Sequence, residues 1–298
     1  MKYRNPHIPE GINTSRVHPL REFALLSLGA LALIGVLAMV MGWFGGQLSR
    51  WLVSVDTEVA WGERLRAEFD GTRAAPSLQH YLDGLAAKVE EAMPLPEGMH
   101  VKLIYSDDET VNAFATLGGT IILYRGLLER IPHENALVML IAHENAHLMR
   151  RDPIVSIGSA IGIQTAVSLL LYGNEASTLQ QAGLFTQLAF SRDMESSADA
   201  SALQALVSIY GHVSGAQDLF KAIQSERKEL GDSEPPAFFS THPLDQKRIQ
   251  TLARIARDQG WRSDLPTTPL PAQFKAWLGG GEAQTAEESN GNGLSAPR

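Results

Sequence analysis

Five residues inside an apolar stretch, His143-Glu144-Asn145-Ala146-His147, constrain this chain more than any other feature. The stretch Ala136 to Met149 reads as a buried helix. Side chains four apart on a helix share a face, so His143 and His147 can address one metal ion. Glu144 is placed to reach water bound to that ion. Two histidines and a glutamate are costly in so apolar a helix unless they are paired or metal-bound. The competing reading is a helix with two capped or exposed histidines. The flanks favour burial. Pro132 and Glu134 suit a helix start, and Leu137, Leu140, Ile141 and Leu148 supply an apolar face. Pro153 stops the run, which predicts a helix over roughly Pro132 to Arg151. His133-Glu134-Asn135-Ala136 repeats four letters of the motif, but Leu137 replaces the second histidine, so this copy reads as helix-start chemistry.

A catalytic zinc takes three protein ligands and keeps one position open. The segment Arg192 to Asp199 offers Glu195 and Asp199, again four apart on an expected helix. Glu195 can be the third ligand. Asp199, one turn on, can accept a hydrogen bond from the free nitrogen of a ligating histidine and fix the ring. Taken alone, these two acids also fit an ordinary solvated helix face.

An H-E-x-x-H motif followed some fifty residues later by E-x-x-x-D resembles the gluzincin family of HtpX-like membrane proteases and CAAX prenyl proteases, family forty-eight of the metallopeptidases. Val111-Asn112-Ala113-Phe114-Ala115 with Gly118-Gly119-Thr120-Ile121-Ile122 is similar to the family's segment ahead of the zinc helix. Thr241-His242-Pro243 with Arg248 is similar to its late H-P-x-x-x-x-R element. The resemblance covers about residues 79 to 256, and Leu117 departs from it where the family often has proline.

The resemblance implies a mainly helical α+β zincin (gluzincin) domain, with a small β-sheet beside the zinc helix and one N-terminal transmembrane helix. It implies one Zn2+ per subunit on His143, His147 and Glu195, with Glu144 carrying the proton in peptide hydrolysis and Asp199 orienting a histidine. His242 and Arg248 are expected at the cleft, as stabilisers of the oxyanion or as a gate over the open metal position. Gly119 to Tyr124 reads as a strand that either packs in the core or offers its edge to an extended substrate. Asn112, Gly119 and Thr120 are its expected cleft residues, Asn112 also being able to cap a turn.

Composition sets limits on this picture. A formal charge of −8 leaves no electrostatic footprint for nucleic acid. The absence of cysteine excludes disulfides, thiolate metal sites and a cysteine nucleophile. Phe23 to Ser49 carries no charged residue and is long enough to span a bilayer as a helix. Lys2, Arg4, Arg16 and Arg21 precede it, whereas Asp56, Glu58 and Glu63 follow Arg50. The positive-inside rule then places the N-terminus in the cytoplasm. Trp43 and Trp51 fit an interfacial belt, and Gly42 and Gly46 form a weak dimerisation motif that leaves a homo-oligomer open. A cleaved signal peptide is the rival, but the run is long for one and lacks an A-x-A site.

A second uncharged run, from Ile154 to Ser177 apart from Glu175, is expected to be a buried core helix or one lying on the bilayer surface. The expected layout is a cytoplasmic tail over 1–22, an anchor over 23–49, a juxtamembrane connector over 50–78, the metallopeptidase domain over 79–265 and a flexible tail over 266–298. His7, His18, His80, His100 and His212 lack partners at ligand spacing. Together these readings predict a single-pass endopeptidase of the bacterial inner membrane, its domain in the periplasm, acting on protein substrates in quality control. The alternative is an envelope chaperone or assembly factor that uses the zinc fold for binding.

Overall fold

The computed structural model describes residues 19–69, 74–171, 190–229, 237–238, 242 and 246–280. Helix α1 spans Pro19–Leu52 and α2 spans Val55–Phe69. Among the described residues, α1 is the one helix long and apolar enough to cross a membrane, with a mean hydropathy of 2.6 over its best window. Helix α3, Pro76–Ala92, starts on a proline and packs Leu78, Leu82, Leu85 and Val89 into the core.

Three short strands follow: β1 Lys102–Ser106, β2 Ala113–Ala115 and β3 Thr120–Tyr124. Their order is β1-β3-β2, with β1 parallel and β2 antiparallel to β3. The strand expected to offer an edge, β3, is therefore the central one, hydrogen-bonded on both sides. The edge strand beside the His143–His147 helix is β2. A 3-10 turn, Leu117–Gly119, joins β2 to β3, and both glycines have positive φ, 68° and 83°. A side chain on Gly118 would strike the backbone of Val59 in α2, and one on Gly119 the carbonyl of His100.

After the short α4, Arg125–Leu128, comes α5, Glu134–Met149, whose residues Glu134 to Leu148 are all buried. A helix apolar on every side belongs at the centre of a domain. It begins two residues later than Pro132 because the His133 ring caps it, accepting a hydrogen bond from the Ala136 N–H at 3.1 Å. It ends where Arg151 adopts φ 56°. That conformation is unfavourable for arginine, and Arg151 is held by Glu58 Oε2 at 2.7 Å and by the carbonyls of Val53 at 2.7 Å and Arg50 at 3.1 Å. Pro153 consequently does not stop α5. It opens α6, Asp152–Leu171, at a first-turn position where its missing N–H has no cost.

Helix α6 lies outside the hydrophobic core cluster, which corrects the expected core helix. It runs antiparallel along α1, where glycines on both helices bring the backbones into contact. Residues 172–177 of the uncharged run lie outside the described residues. Helix α7, Arg192–Tyr210, is capped by Ser191 and stopped by Gly211 in the left-handed region. Its stripe of Glu195, Ala198, Asp199, Ala202 and Leu206 packs on α5. Helix α8, Asp218–Glu229, packs on α5, and α9, Gln246–Asp258, packs on α7.

The expected flexible tail needs correction as far as residue 280. The Thr268 N–H bonds Asn135 Oδ1, and the Thr268 carbonyl accepts from Glu134 N–H. Helix α10, Phe274–Leu278, buries Phe274 against Tyr81. Phe274 and Leu278, both buried, dock a segment whose prolines and glycines suggest mobility.

Candidate metal centre

The local folding of α5 and α7 brings the motif together. His143 and His147 sit one turn apart on α5, and Glu195 faces them from the first turn of α7. His242 arrives from a different part of the chain. Its N–H bonds the Phe238 carbonyl at 2.8 Å, and the Phe238 N–H bonds the Val111 carbonyl at 3.1 Å, which ties this segment to the entry of β2.

The four donors face one another. His143 Nε2 lies 3.3 Å from His147 Nε2 and 3.3 Å from His242 Nδ1. Glu195 Oε1 lies 2.9 Å from His242 Nδ1 and 3.4 Å from His147 Nε2, and Glu195 Oε2 lies 3.6 Å from His143 Nε2. Tetrahedral bonds of about 2.0–2.1 Å place neighbouring donors about 3.3 Å apart. The observed separations are those of donors around one such ion.

The second ring nitrogens of His143 and His147 each face a carboxylate. His143 Nδ1 lies 3.1 Å from Asp199 Oδ1, and His147 Nδ1 lies 2.9 Å from Asp152 Oδ2. Carboxylates there favour protons on both Nδ1 atoms, leaving the two Nε2 lone pairs pointing at each other. A cation between them reconciles that arrangement, so the residues fit a metal.

Charge separates the site's two glutamates. Burial raises the Glu144 carboxyl above the ordinary carboxylate range, and His242 and His143 only partly oppose it. Burial acts the same way on Glu195, but His143, His147 and His242 outweigh it and hold that carboxyl well below the ordinary range. Such a divided pair suits one anionic ligand and one proton carrier. Glu144 Oε2 accepts from the Ala115 N–H at 2.7 Å. Its Oε1 has no hydrogen bond and lies 3.4 Å from His242 Nε2, which also has none. Phe190 stacks on His147 at 4.0 Å and Phe238 on His242 at 5.0 Å, giving the rings apolar walls.

Of the residues singled out in the sequence, His143, Glu144, His147, Glu195, Asp199, His242 and Arg248 meet here. Glu195 and Asp199 are 1% and 2% exposed, so they do not form a solvated acidic face. Arg248 does not point to where an oxyanion would form. It grips Asp199 with two bonds of 2.8 Å and reaches Glu195 Oε2 at 2.5 Å. Asn112 is buried at the start of β2, and its carbonyl accepts from Tyr124 N–H at 3.2 Å. Gly119 and Thr120 are taken up in turn and sheet packing. Sequence reading missed Asp152. An acid just past the helix, five residues after His147, was the available signal. Phe190 and Phe238 carried no signal at all.

A profile described as Peptidase family M48 matches residues 73–256. The mitochondrial metalloendopeptidase OMA1 of Schizosaccharomyces pombe is 33% identical over 150 residues, 49% of this chain and 43% of that protein. The beta-barrel assembly-enhancing protease of Escherichia coli is 28% identical over 189 residues, 58% of this chain and 38% of that protein. A putative beta-barrel assembly-enhancing protease of Vibrio cholerae is 25% identical over 222 residues, 69% and 45% of the two chains. The chain thus spans less than half the length of these relatives. The family profile covers more than half of the chain, including every donor of the metal cluster, and the chain belongs to peptidase family M48, whose members are metal-dependent peptidases.

Proposed function

We propose that this chain is a membrane-anchored zinc endopeptidase of membrane-protein quality control. The observation that carries the reading is the convergence of three imidazole nitrogens and one carboxylate at tetrahedral spacing, beside a buried glutamate with a free oxygen. Nitrogen and oxygen donors at this spacing suit zinc. His143, His147 and Glu195 would hold the ion. When bound, it would supply Lewis acidity toward a peptide carbonyl and lower the pKa of water beside it.

The protein's own groups do the rest. Ala115 N–H fixes Glu144 Oε2, leaving Oε1 to take the proton from the attacking water and pass it to the leaving amide nitrogen. Asp199 and Asp152 hold the two α5 rings with their Nε2 atoms inward. Arg248 holds both Asp199 and Glu195, which makes it a positioning residue. His242 Nδ1 stands among the donors, where water must bind, so this arrangement is closed. The geometry favours His242 as a gate over an oxyanion stabiliser. Substrate enters once its ring moves aside.

The expected anchor over 23–49 lies within α1, and the charge bias around it supports a cytoplasmic N-terminus and a periplasmic domain in a bacterial inner membrane. Two of the relatives are named for β-barrel assembly, which supports substrates among membrane or envelope proteins. The reading is tested by Glu144→Gln, with bound zinc and hydrolysis of an unfolded protein measured on one preparation. Zinc retained with hydrolysis lost supports it; unchanged hydrolysis removes it. The closed fourth position favours one second reading, an envelope chaperone or assembly factor that uses the fold for binding. Full complementation of a deletion by Glu144→Gln would select that reading.

A further inference from the structure

Helix α6 leaves the metal site through Asp152, which touches His147, and carries no charged side chain from Pro153 to Leu171. It then lies against the apolar helix α1. Ser49 Oγ donates to the Ile154 carbonyl at 2.8 Å. A side chain on Gly158 would come within 2.5 Å of the Gly45 carbonyl, and one on Gly42 within 2.7 Å of Ile163. Gly162 is closed in the same way by the Met41 carbonyl. Ser49 with Ile154, Gly45 with Gly158 and Met41 with Gly162 form one antiparallel register. Backbone approach of this kind is how helices associate in lipid, where small residues permit van der Waals contact.

This register fixes depth. The matched part of α1, Met41 to Ser49, belongs to the charge-free stretch read as the anchor. Arg50 and Asp152, 3.5 Å apart, mark one end of both helices. From Ile154 to Leu171 α6 extends about 26 Å, against about 30 Å for a hydrocarbon core. The outer face of α6 bears Ile161, 45% exposed, and α1 likewise exposes Met39, Val40 and Phe44. Thr165 on that face satisfies its own hydroxyl on the Ile161 carbonyl at 2.8 Å, as a polar group facing hydrocarbon requires. By Phe190, stacked on His147, the chain is back at the metal site.

We propose that α6 enters the same bilayer as α1 as its packed partner and presents its Ile161–Thr165 face to lipid acyl chains. The excursion begins and ends at the metal centre. It therefore seats the site at the membrane surface, where the accessible peptide bonds belong to segments emerging from the bilayer. This rests on the reading of α1 as an anchor.

The chain has no cysteine, so single cysteines can be spin-labelled without further change. Ile161→Cys and Thr165→Cys lie on the outer face and leave the glycine contacts intact. Leu33→Cys reports α1, and Ser208→Cys reports the exposed surface of α7. With the full chain in phosphatidylcholine nanodiscs, collision rates are measured for oxygen and for a neutral nickel chelate. The ratio of oxygen to nickel collisions at positions 161 and 165 should match that at 33. It should exceed that at 208 by about tenfold, because a polar solute is disfavoured by at least that factor in hydrocarbon. Ratios at 161 and 165 equal to 208, with 33 high, overturn the proposal alone. A low ratio at 33 as well overturns the anchor reading with it.

Discussion

Replacing Arg248 by methionine should destabilise the metal-free protein more than any other single change at the site that spares the ligands. The guanidinium makes two charged hydrogen bonds to Asp199 and a third contact to Glu195, in a pair whose side chains alone are 10% and 3% exposed. Phe220 adds a ring face 5.9 Å from the guanidinium carbon. Removing the cation leaves two buried carboxylates facing each other across one turn of α7. Breaking one side of a buried pair costs about 3–5 kcal/mol. In a domain of this size that corresponds to a fall in Tm of about 10 °C. The assay is thermal unfolding followed by circular dichroism, in detergent, with chelator present. Metal should restore much of the loss, because it neutralises Glu195. The double variant with Asp199→Asn should recover about 2 kcal/mol relative to the sum of the single changes. Arg248→Lys should recover little, since a lysine cannot make the paired contact. A shift below about 3 °C for Arg248→Met in chelator would refute the claim that this pair organises the site.

Asp152→Asn should weaken metal affinity about 10–100-fold, read by competition with a chromophoric chelator, while the helical signal is unchanged. Affinity equal to wild type would show that His147 needs no carboxylate partner. His242→Ala should keep the metal but raise peptide hydrolysis, by up to about tenfold if the closed arrangement holds about nine-tenths of the molecules. Lost activity would instead make His242 a participant in the reaction. Burial pushes the Glu58 carboxyl above its ordinary value of 4.5, and Arg151 only partly opposes this. The folded chain then holds a proton that the unfolded chain has released, so this group's contribution to stability falls as pH rises from about 4.5 through the folded value. Glu58→Gln should remove that fall, and Tm profiles of variant and wild type that run parallel across the window would contradict it.

Helix α5 was legible because its chemistry is local: spacing places His143 and His147 on one face, and an apolar surround implies burial. Its ends were not, because they depend on a histidine cap and on Arg151 held in a left-handed conformation by Glu58, neither of which leaves a local pattern. Glu195 and Asp199 taken alone fit a solvated face, and only their pairing with the H-E-x-x-H motif favours ligand and support; their burial against α5 agrees with that pairing. β2 is three residues long, too short for alternation to identify, so nothing local marks β3 as the middle of the sheet. The partner of α6 was illegible for a related reason. Gly158 and Gly162 look like weak points in a helix until Gly42 and Gly45 stand opposite them. Arg248 shows the same limit, since a downstream arginine gives no sign of which carboxylate it will meet.

X-ray absorption of the zinc-loaded, full-length protein tests the metal centre most directly. The expected first shell is nitrogen and oxygen at about 2.0–2.1 Å with the multiple-scattering signature of three imidazoles, falling to two in His242→Ala. A shell without imidazole scattering, or one unchanged by His242→Ala, would contradict it.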